Sequence, residues 1–503
     1  MISILTSEDA QLIDKKTIDS GHNSEEDLIN NAGRSIAQFI LENIEDPFNK
    51  NFKILAGPGN NGNDAIVAHY YLIKYKVKST LILLRNKSNG WVLKKYNIPE
   101  HTIKQYRRFK INKSNWYIDG IFGLGLNKEI NGIYQEAIEQ LRKTKKVISI
   151  DIPSGINSNN GKSINISVKS KYTLAMGNPK IGHYFNDGLD SSGKLIILDI
   201  GLAKDINLNN KFNLIELSDV QGLYPSINKN VHKYIKGHVV SIAGSKGYTG
   251  AAILACISAL KVGAGVIKVI VPDSLNHIFE NVLLECITYP IDDQGKGFFS
   301  LKNKNELISL TRNKDALLFG PGLAASQNNI WMSKVLSNVD IPVVLDASGF
   351  SPIYSKQIEI SQLPKKCILT PHLGEFSKIF EMNLESFYLN PMETIKSIIP
   401  KLEKRILIVK GPVIIIITSK GQIFFVNNGN NLLATSGSGD VLAGILTGLI
   451  AQGINLDTAS ILGSYLHGLI SQIYEKDINK YGMISSDLIK LLPSAISKLV
   501  NVP

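Results

Sequence analysis

The sequence predicts an α/β protein built from two doubly wound sheet domains. Three observations carry that prediction. At 503 residues the chain exceeds one ordinary domain. Short apolar runs recur along it, and most pass directly into glycine, aspartate or lysine, the pattern of buried parallel strands ending in polar loops. A polar, asparagine-rich stretch between Ala203 and Asn213 separates two series of such runs. A boundary near Ser218 follows, giving domains 1–218 and 219–503.

The elements follow in order. Thr6 to Ser20 reads as a helix, with Thr6 and Asp9 spaced as a capping box, and Ser24 and Asp27 repeat the signal before an amphipathic helix from Leu28 to Ile44. Phe52 to Ala56 is a short buried strand. The turn Gly57-Pro58-Gly59-Asn60-Asn61-Gly62-Asn63-Asp64 leads from it into a helix from Ala65 to Tyr75. Strand, glycine turn and helix form a phosphate-binding arrangement. The strand Thr80 to Leu84 ends in Arg85, where a hydride-transferring dinucleotide fold wants an acid, so the formal GxGxxG match is weak. Strands at Trp116 to Ile118 and Val147 to Ile150 run into Asp119 and Asp151, and further strands occupy Tyr172 to Ala175 and Lys194 to Ile200.

The second half restarts with a strand from His238 to Ala243, the loop Gly244-Ser245-Lys246-Gly247-Tyr248-Thr249-Gly250 and a small-residue helix with Gly263 and Gly265 near its end. Four more strands end in polar loops. Ala316 to Phe319 enters Gly320-Pro321-Gly322, and Pro342 to Leu345 enters Asp346. Cys367 to Thr370 enters Pro371-His372-Leu373-Gly374-Glu375, and Ile406 to Val409 enters Lys410-Gly411-Pro412. This predicts a second parallel sheet. Gly437-Ser438-Gly439-Asp440 comes last and opens a helix with an apolar face of Val441, Leu442, Ile445, Leu446, Leu449 and Ile450.

Composition excludes several function classes. The formal charge is +12, from 55 basic and 43 acidic residues, but the lysines are scattered among asparagines and isoleucines. No dense basic run carries interleaved aromatics, so a nucleic-acid partner is not expected. Cys256, Cys286 and Cys367 form no CxxC pair, which fits a reducing compartment without a disulfide framework or zinc site. No apolar run reaches about 18 residues. Glu8 and Asp9 come too early for a signal peptide, so a cytoplasmic protein without a membrane partner is expected.

The chemistry lies at the strand ends. Unpaired N–H groups at a glycine-rich helix start bind anions. Asp440 among them either caps the helix or takes a proton from a hydroxyl beside a phosphoryl group. Asn60 to Asp64, Asp119 to Gly125 and Asp151 to Gly155 meet at one sheet edge, where open α/β sheets bind ligands. Their oxygens suit a sugar, a phosphate edge or a hard cation, or only their own backbone turns. His372 is a turn residue or a binding group, and Lys410 is a solvated side chain or a phosphate contact.

These motifs, in this order and number, resemble the bifunctional NAD(P)H-hydrate repair enzymes across nearly the whole chain. Asn60-Asn61-Gly62-Asn63-Asp64, Asp119-Gly120-Ile121-Phe122-Gly123 and Asp151-Ile152-Pro153-Ser154-Gly155 are similar to the family's epimerase domain. Gly244-Ser245 with Tyr248 to Ala252, Phe319 to Gly322, Pro371 to Glu375 and Gly437 to Asp440 are similar to its ADP-dependent dehydratase domain. The resemblance implies a Rossmann-like N-terminal domain and a ribokinase-like C-terminal domain. It implies epimerisation of hydrated NADH and NADPH (NAD(P)HX) by the first. The second would dehydrate the S epimer while ADP becomes AMP and phosphate.

Matched by motif position, Asn61, Asp119 and Ser154 would hold a potassium ion. Asn60, Asn61, Gly62, Asn63, Asp64, Gly123, Leu124, Gly125, Leu126, Asn127, Lys128, Glu129 and Asp151 would line the epimerase site. Ala251, Gly322, His372 and Asp440 would contact the hydrate in the dehydratase. Lys410, Gly411, Pro412, Val413, Ile414 and Gly439 would contact the nucleotide. Asp440 would be the base there, Asp151 the proton-exchanging group of the epimerase, and magnesium would accompany ADP. A homo-oligomer is expected. Asn63 and Ala65 stand where the family usually has glycine, and Ser348 where it has a second aspartate after Asp346-Ala347. A ribokinase-type small-molecule kinase with an appended binding domain shares the Gly437–Asp440 loop but leaves Asn60 to Asp64 unexplained. A non-enzymatic dinucleotide-binding module is a further alternative for the first half.

Overall fold

The computed structural model describes residues 1–84, 90–108, 110–204, 206, 208, 212–225, 230–324 and 329–500. Arg85 lies outside them. The chain divides into two compact units. One comprises Ser3–Lys211 with Tyr388–Pro391, the other Met1–Ile2, Phe212–Phe387 and Met392–Pro503. Both are α/β.

The N-terminal sheet runs in the order Ile103–Gln105, Ser79–Leu83, Phe52–Ala56, Trp116–Gly120, Val147–Ile150, Tyr172–Met176, Lys194–Leu198. All its pairings are parallel. Helices cover a parallel sheet on both faces, which is why Trp116–Gly120 and Val147–Ile150 are buried throughout. The strand order reverses between Phe52–Ala56 and Trp116–Gly120. At such a switch point the two flanking loops part and leave a crevice at the carboxyl edge.

Helices Ser7–Asp19 and Glu25–Asn43 start where the capping signals place them. The Asp9 N–H donates to Thr6 Oγ1, and Ser24 and Asp27 cap reciprocally. The third helix differs from expectation. It spans Asn60–Lys74, so Asn60 to Asp64 form its first turn rather than a loop before Ala65. Asparagine and glycine are poor helix formers, but tertiary constraints override that preference. A Cβ on Gly57 would lie 1.8 Å from the Ile121 carbonyl oxygen, so the chain turns tightly there. Gly59 is then the N-cap.

The C-terminal unit's sheet includes, in order, Phe212–Leu214, Ile423–Val426, Ile414–Ile417, Ile406–Val409, Cys367–Leu369, Val343–Leu345, Ala316–Phe319, His238–Ile242, Val266–Pro272 and Ile287–Ile291. From Ile406–Val409 to Ile287–Ile291 every pairing is parallel. The expectation of a wholly parallel sheet is corrected at Ile414–Ile417, which is antiparallel to both neighbours. Residues 410–413 are a hairpin connection, and a parallel crossover needs about a dozen residues or more. Here the order reverses between His238–Ile242 and Ala316–Phe319.

Two helices of this unit, Thr249–Lys261 and Ser438–Ala451, pack closely through small residues. A Cβ on Gly444 would lie 2.1 Å from the Ala255 carbonyl oxygen, and one on Gly448 2.4 Å from Val262 Cγ1. Gly437 packs near Leu254, so both helices begin at the same carboxyl edge of the sheet. Among the described residues no helix is long and apolar enough to cross a membrane. Replacing Gly444 by Ala would gain about 0.5–1 kcal/mol of helix propensity. Overpacking costs about 1–3 kcal/mol, and here the obstacle is backbone. The Gly444→Ala variant is therefore expected to unfold at lower urea concentration than the wild type, with the same denaturant slope.

Candidate active sites at two strand edges

A cavity of about 570 Å³ opens in the N-terminal unit at the switch point. One wall is the strand edge, with Asn60, Asn61, Asp64, Asp151 and Lys180. Gly123 to Lys128 form a second side, and the third combines apolar Ala10, Ile18, Leu28 and Leu202 with Gln11, Asp14 and Glu25. Of the residues proposed from sequence for this unit, Gly62, Asn63, Asp119, Glu129 and Ser154 do not line the cavity.

Asn61, Asp119 and Ser154 come together at its root. Asp119 is the fourth residue of the strand Trp116–Gly120 and is fully buried. Its carboxylate accepts from Ser149 Oγ at 2.7 Å, Ser154 Oγ at 2.6 Å, the Ser154 N–H at 2.9 Å and the Ile121 N–H at 3.3 Å. Burial raises this carboxyl above its ordinary range, and the Ser154 bonds oppose the shift. The Phe122 N–H donates to Ser154 Oγ at 2.9 Å. The Asn61 amide donates to the carbonyls of Phe122 at 2.9 Å and Ile150 at 2.8 Å. A Cβ on Gly123 would lie 2.7 Å from Asn61 Oδ1, whereas one on Gly125 would meet nothing within 4 Å. The donors are amide, carboxylate, hydroxyl and carbonyl oxygens, and no lining residue is His or Cys. Such a set fits a hard cation and not zinc.

Asp151 holds a left-handed backbone, φ +62°, a strained conformation for a non-glycine residue. The fold pins it. Its N–H donates to the Leu174 carbonyl at 2.7 Å, and its carboxylate accepts from the Met176 N–H at 3.1 Å and pairs with Lys180. His183 accepts the Lys180 N–H at Nδ1, so Nε2 carries the proton and donates to the Asp151 carbonyl at 3.0 Å. Burial and then the Lys180 charge push this imidazole down to about 4. Asp64 is raised well above the carboxylate range by burial first, then by Asp151 and Asp14. Sequence reasoning passed over Lys180, Asp14 and His183. The available signal for Lys180 was its place just beyond an apolar strand, the signal that singled out Lys410.

In the C-terminal unit the parallel strands carry Asp346, Thr370 and Lys410 to one edge. Lys410 Nζ donates to Asp346 Oδ1 at 2.6 Å, and Thr370 Oγ1 donates to the same oxygen at 2.7 Å. A Cβ on Gly439 would sit 3.0 Å from Lys410 Nζ, so the ammonium stands at the start of helix Ser438–Ala451. Gly437 is the N-cap at φ +87°, a conformation that favours glycine. Asp440 lies in the first turn and makes no side-chain hydrogen bond among the described residues. Its carboxyl is held up at about 6 by burial, with Asp346 adding and Lys410 opposing. Glu375 is also raised by burial, again opposed by Lys410.

The remaining residues are placed unevenly. Ala251 packs on Gly322, whose carbonyl accepts from Ser245 Oγ at 2.7 Å. His372 lies beside Lys410 in the backbone, but its ring caps the helix Leu373–Ile379, with Nδ1 accepting the Gly374 N–H at 3.0 Å. Gly411 and Pro412 are exposed, while Val413 and Ile414 bury their side chains. Ala347, next to Asp346, holds φ +50°.

A family model described as NAD(P)H-hydrate dehydratase matches residues 239–494, and one described as YjeF-related protein N-terminus matches residues 25–182. The bifunctional NAD(P)H-hydrate repair enzyme of Dictyoglomus turgidum is 33% identical over 490 residues, 94% of this chain and 94% of its own. The chain belongs to this family. The enzyme of the same name from Thermofilum pendens is 27% identical over 97% of this chain and 95% of its own. A ribokinase-like superfamily protein of Enterococcus faecalis shares the fold, with a TM-score of 0.50 at 22% identity over 60% of this chain and 100% of that one. Asn63 and Ala65 are ordinary helical positions within Asn60–Lys74, and Asp346 keeps its partners although Ser348 follows it.

Ser154→Ala removes a partner of buried Asp119 and leaves the Phe122 N–H without its acceptor. Leaving such groups unpaired costs about 1–3 kcal/mol each. The variant's N-terminal unit is expected to unfold at measurably lower urea concentration, followed by tyrosine and tryptophan fluorescence.

Proposed function

We infer that the N-terminal unit interconverts the R and S epimers of hydrated NADH and NADPH. The C-terminal unit dehydrates the S epimer, turning ADP into AMP and phosphate. The boundary between the two activities is proposed near Ser218, as residues 1–218 and 219–503. One observation carries the dehydratase reading: a carboxyl with a raised proton affinity stands at a glycine-capped helix start beside a lysine.

A ring hydroxyl is a poor leaving group, and phosphorylation makes it a good one. Asp440 takes the hydroxyl proton as that oxygen bonds to the β-phosphorus of ADP and the bond to AMP breaks. The amides from Gly437 to Gly439 and the Lys410 ammonium face the moving phosphoryl group. The ring nitrogen then expels phosphate, a carbon-bound ring proton leaves, and the reduced nicotinamide is restored. Magnesium would accompany the nucleotide and neutralise its phosphates. Ala251, Gly322 and His372 are proposed to contact the hydrate, and Gly411 to Ile414 the nucleotide, for which buried Val413 and Ile414 offer backbone.

In the N-terminal unit, Asn61, Asp119 and Ser154 are proposed to hold potassium, which would fix the loop carrying Asp151. Asp151 exchanges a proton as the ring epimerises. A cytoplasmic homo-oligomer is the form the sequence reading proposes.

The deciding assay supplies hydrated NADPH and ADP and follows the near-ultraviolet absorbance of reduced nicotinamide. Recovery supports repair. Phosphorylation of a sugar or pyrimidine without recovery supports a kinase instead. Asp440→Asn is expected to lower dehydration by ~10²–10⁴ while the fold persists. Because a base must be unprotonated, wild-type kcat/KM should rise as pH increases through about 6, and near-normal turnover of the variant defeats the assignment. The epimerase rate should fall when potassium is replaced by a larger organic cation at equal ionic strength. Equal rates leave Asn61, Asp119 and Ser154 a purely structural role.

A further inference from the structure

The acid–base groups of the N-terminal cavity do not all come from the strand edge. Helix Ser7–Asp19 presents Ala10, Asp14 and Ile18 to the cavity as an i, i+4, i+8 stripe, with Gln11 beside it, so that Asp14 is the one titratable group this helix offers there. The Asp14 carboxyl makes no hydrogen bond or ion pair among the described residues. A carboxyl on such a stripe loses hydration without compensation, and structural need alone would favour an aliphatic residue. The neighbouring Asp64 is only 9% exposed, lines the same cavity and likewise has no hydrogen-bond partner among the described residues.

We propose that Asp14 is a second acid–base residue of this cavity, serving the hydrate's ring hydroxyl from the helical wall while Asp151 serves the strand-end wall. The proposal rests on the reading of the cavity as the epimerase site. Inversion at the hydroxyl-bearing carbon needs one carbon–oxygen bond broken and another made on the opposite side of the ring. Asp14 in its acid form donates its proton to the hydroxyl. The carbon–oxygen bond breaks, its electron pair leaves with water, and the ring nitrogen lone pair closes a carbon–nitrogen double bond. A water on the other side then bonds to that carbon, the double-bond pair returns to nitrogen, and the excess proton passes to Asp151. Proton exchange with solvent resets the two carboxyls, and the reverse reaction exchanges their roles.

The charged surroundings suit this division. The titratable groups facing the cavity with Asp14 are Asp64, Asp151, Lys180, Glu25 and Lys128. Lys180 is paired with Asp151 on the strand-end wall, away from the helix that carries Asp14. Burial holds Asp14 up at about 6, with Lys180 opposing and Asp151 adding, so a useful share of it carries a proton near neutrality.

The test uses the full chain, the R epimer and an excess of separate dehydratase, so that epimerisation limits the rate. Asp14→Asn is expected to lower kcat for R-epimer conversion by ~10²-fold or more, with a smaller change in KM. Its own dehydration of the S epimer should stay at the wild-type rate, and its N-terminal unit should unfold at the wild-type urea concentration, which reports an intact fold in both units. The wild-type epimerase rate should decline as pH rises through about 6. Asp14→Glu should restore part of the rate together with that decline. In water labelled with heavy oxygen, each inversion should place one labelled oxygen on the ring. Asp14→Asn turnover within about threefold of wild type, a loss confined to KM, or inversion that keeps the original oxygen would each overturn the proposal. A wild-type chain that never converts the R epimer overturns the epimerase reading itself.

Discussion

Lys180 and Asp151 form an ion pair from which water is nearly excluded, their side chains being 3% and 6% exposed. Taking two charges out of water is expensive, and their attraction compensates only when further hydrogen bonds complete both groups. Here they do. The Met176 N–H serves the carboxylate, and the ammonium also reaches the Met176 carbonyl. The pair joins the ends of two adjacent parallel strands and keeps Asp151 in a backbone conformation it would not choose alone. Removing one partner of such a pair costs about 3–5 kcal/mol, so the sheet edge, the strained residue and the cavity depend on each other. The C-terminal unit repeats the device with Lys410 and Asp346, reaching across an intervening strand whose Thr370 completes the carboxylate.

The same edge rule yields different chemistry because different elements close over it. In the N-terminal unit two helices line the cavity beside the edge, and burial there raises the Asp14 and Asp64 carboxyls. In the C-terminal unit two helices begin at the edge, and their unpaired N–H groups favour negative charge. The close packing through Gly444 and Gly448 fixes where one helix start lies against the other. Charge placement, rather than fold, separates a proton-moving site from a phosphoryl-moving one.

Strand ends were legible in the sequence because buried parallel strands are continuous apolar runs, and Asp119, Asp151 and Lys410 stand where those runs stop. The capping pairs Thr6 with Asp9 and Ser24 with Asp27 were legible because they are local. Contacts between distant segments were not. Asn60 to Asp64 look like a loop because their local preferences oppose a helix, while the Phe122 and Ile150 carbonyls that anchor Asn61 lie far along the chain. Asp14 looks like an ordinary surface acid until its helix is docked. Val266–Pro272 and Ile287–Ile291 escaped notice, the latter because an edge strand with exposed positions carries no continuous apolar run. The antiparallel strand Ile414–Ile417 needed connection length, not hydrophobicity, to be recognised.

The loop from Gly123 to Lys128 is held unequally along its length. At its root, Gly123 abuts the Asn61 amide so closely that no side chain fits, while at Gly125 the space is open. Substitutions near the root therefore disturb the packing of the whole sheet edge, but substitutions at the tip change only the lip of the cavity. A side chain added at Gly125 thus reshapes the entrance alone and leaves the anchoring of Asn61 untouched.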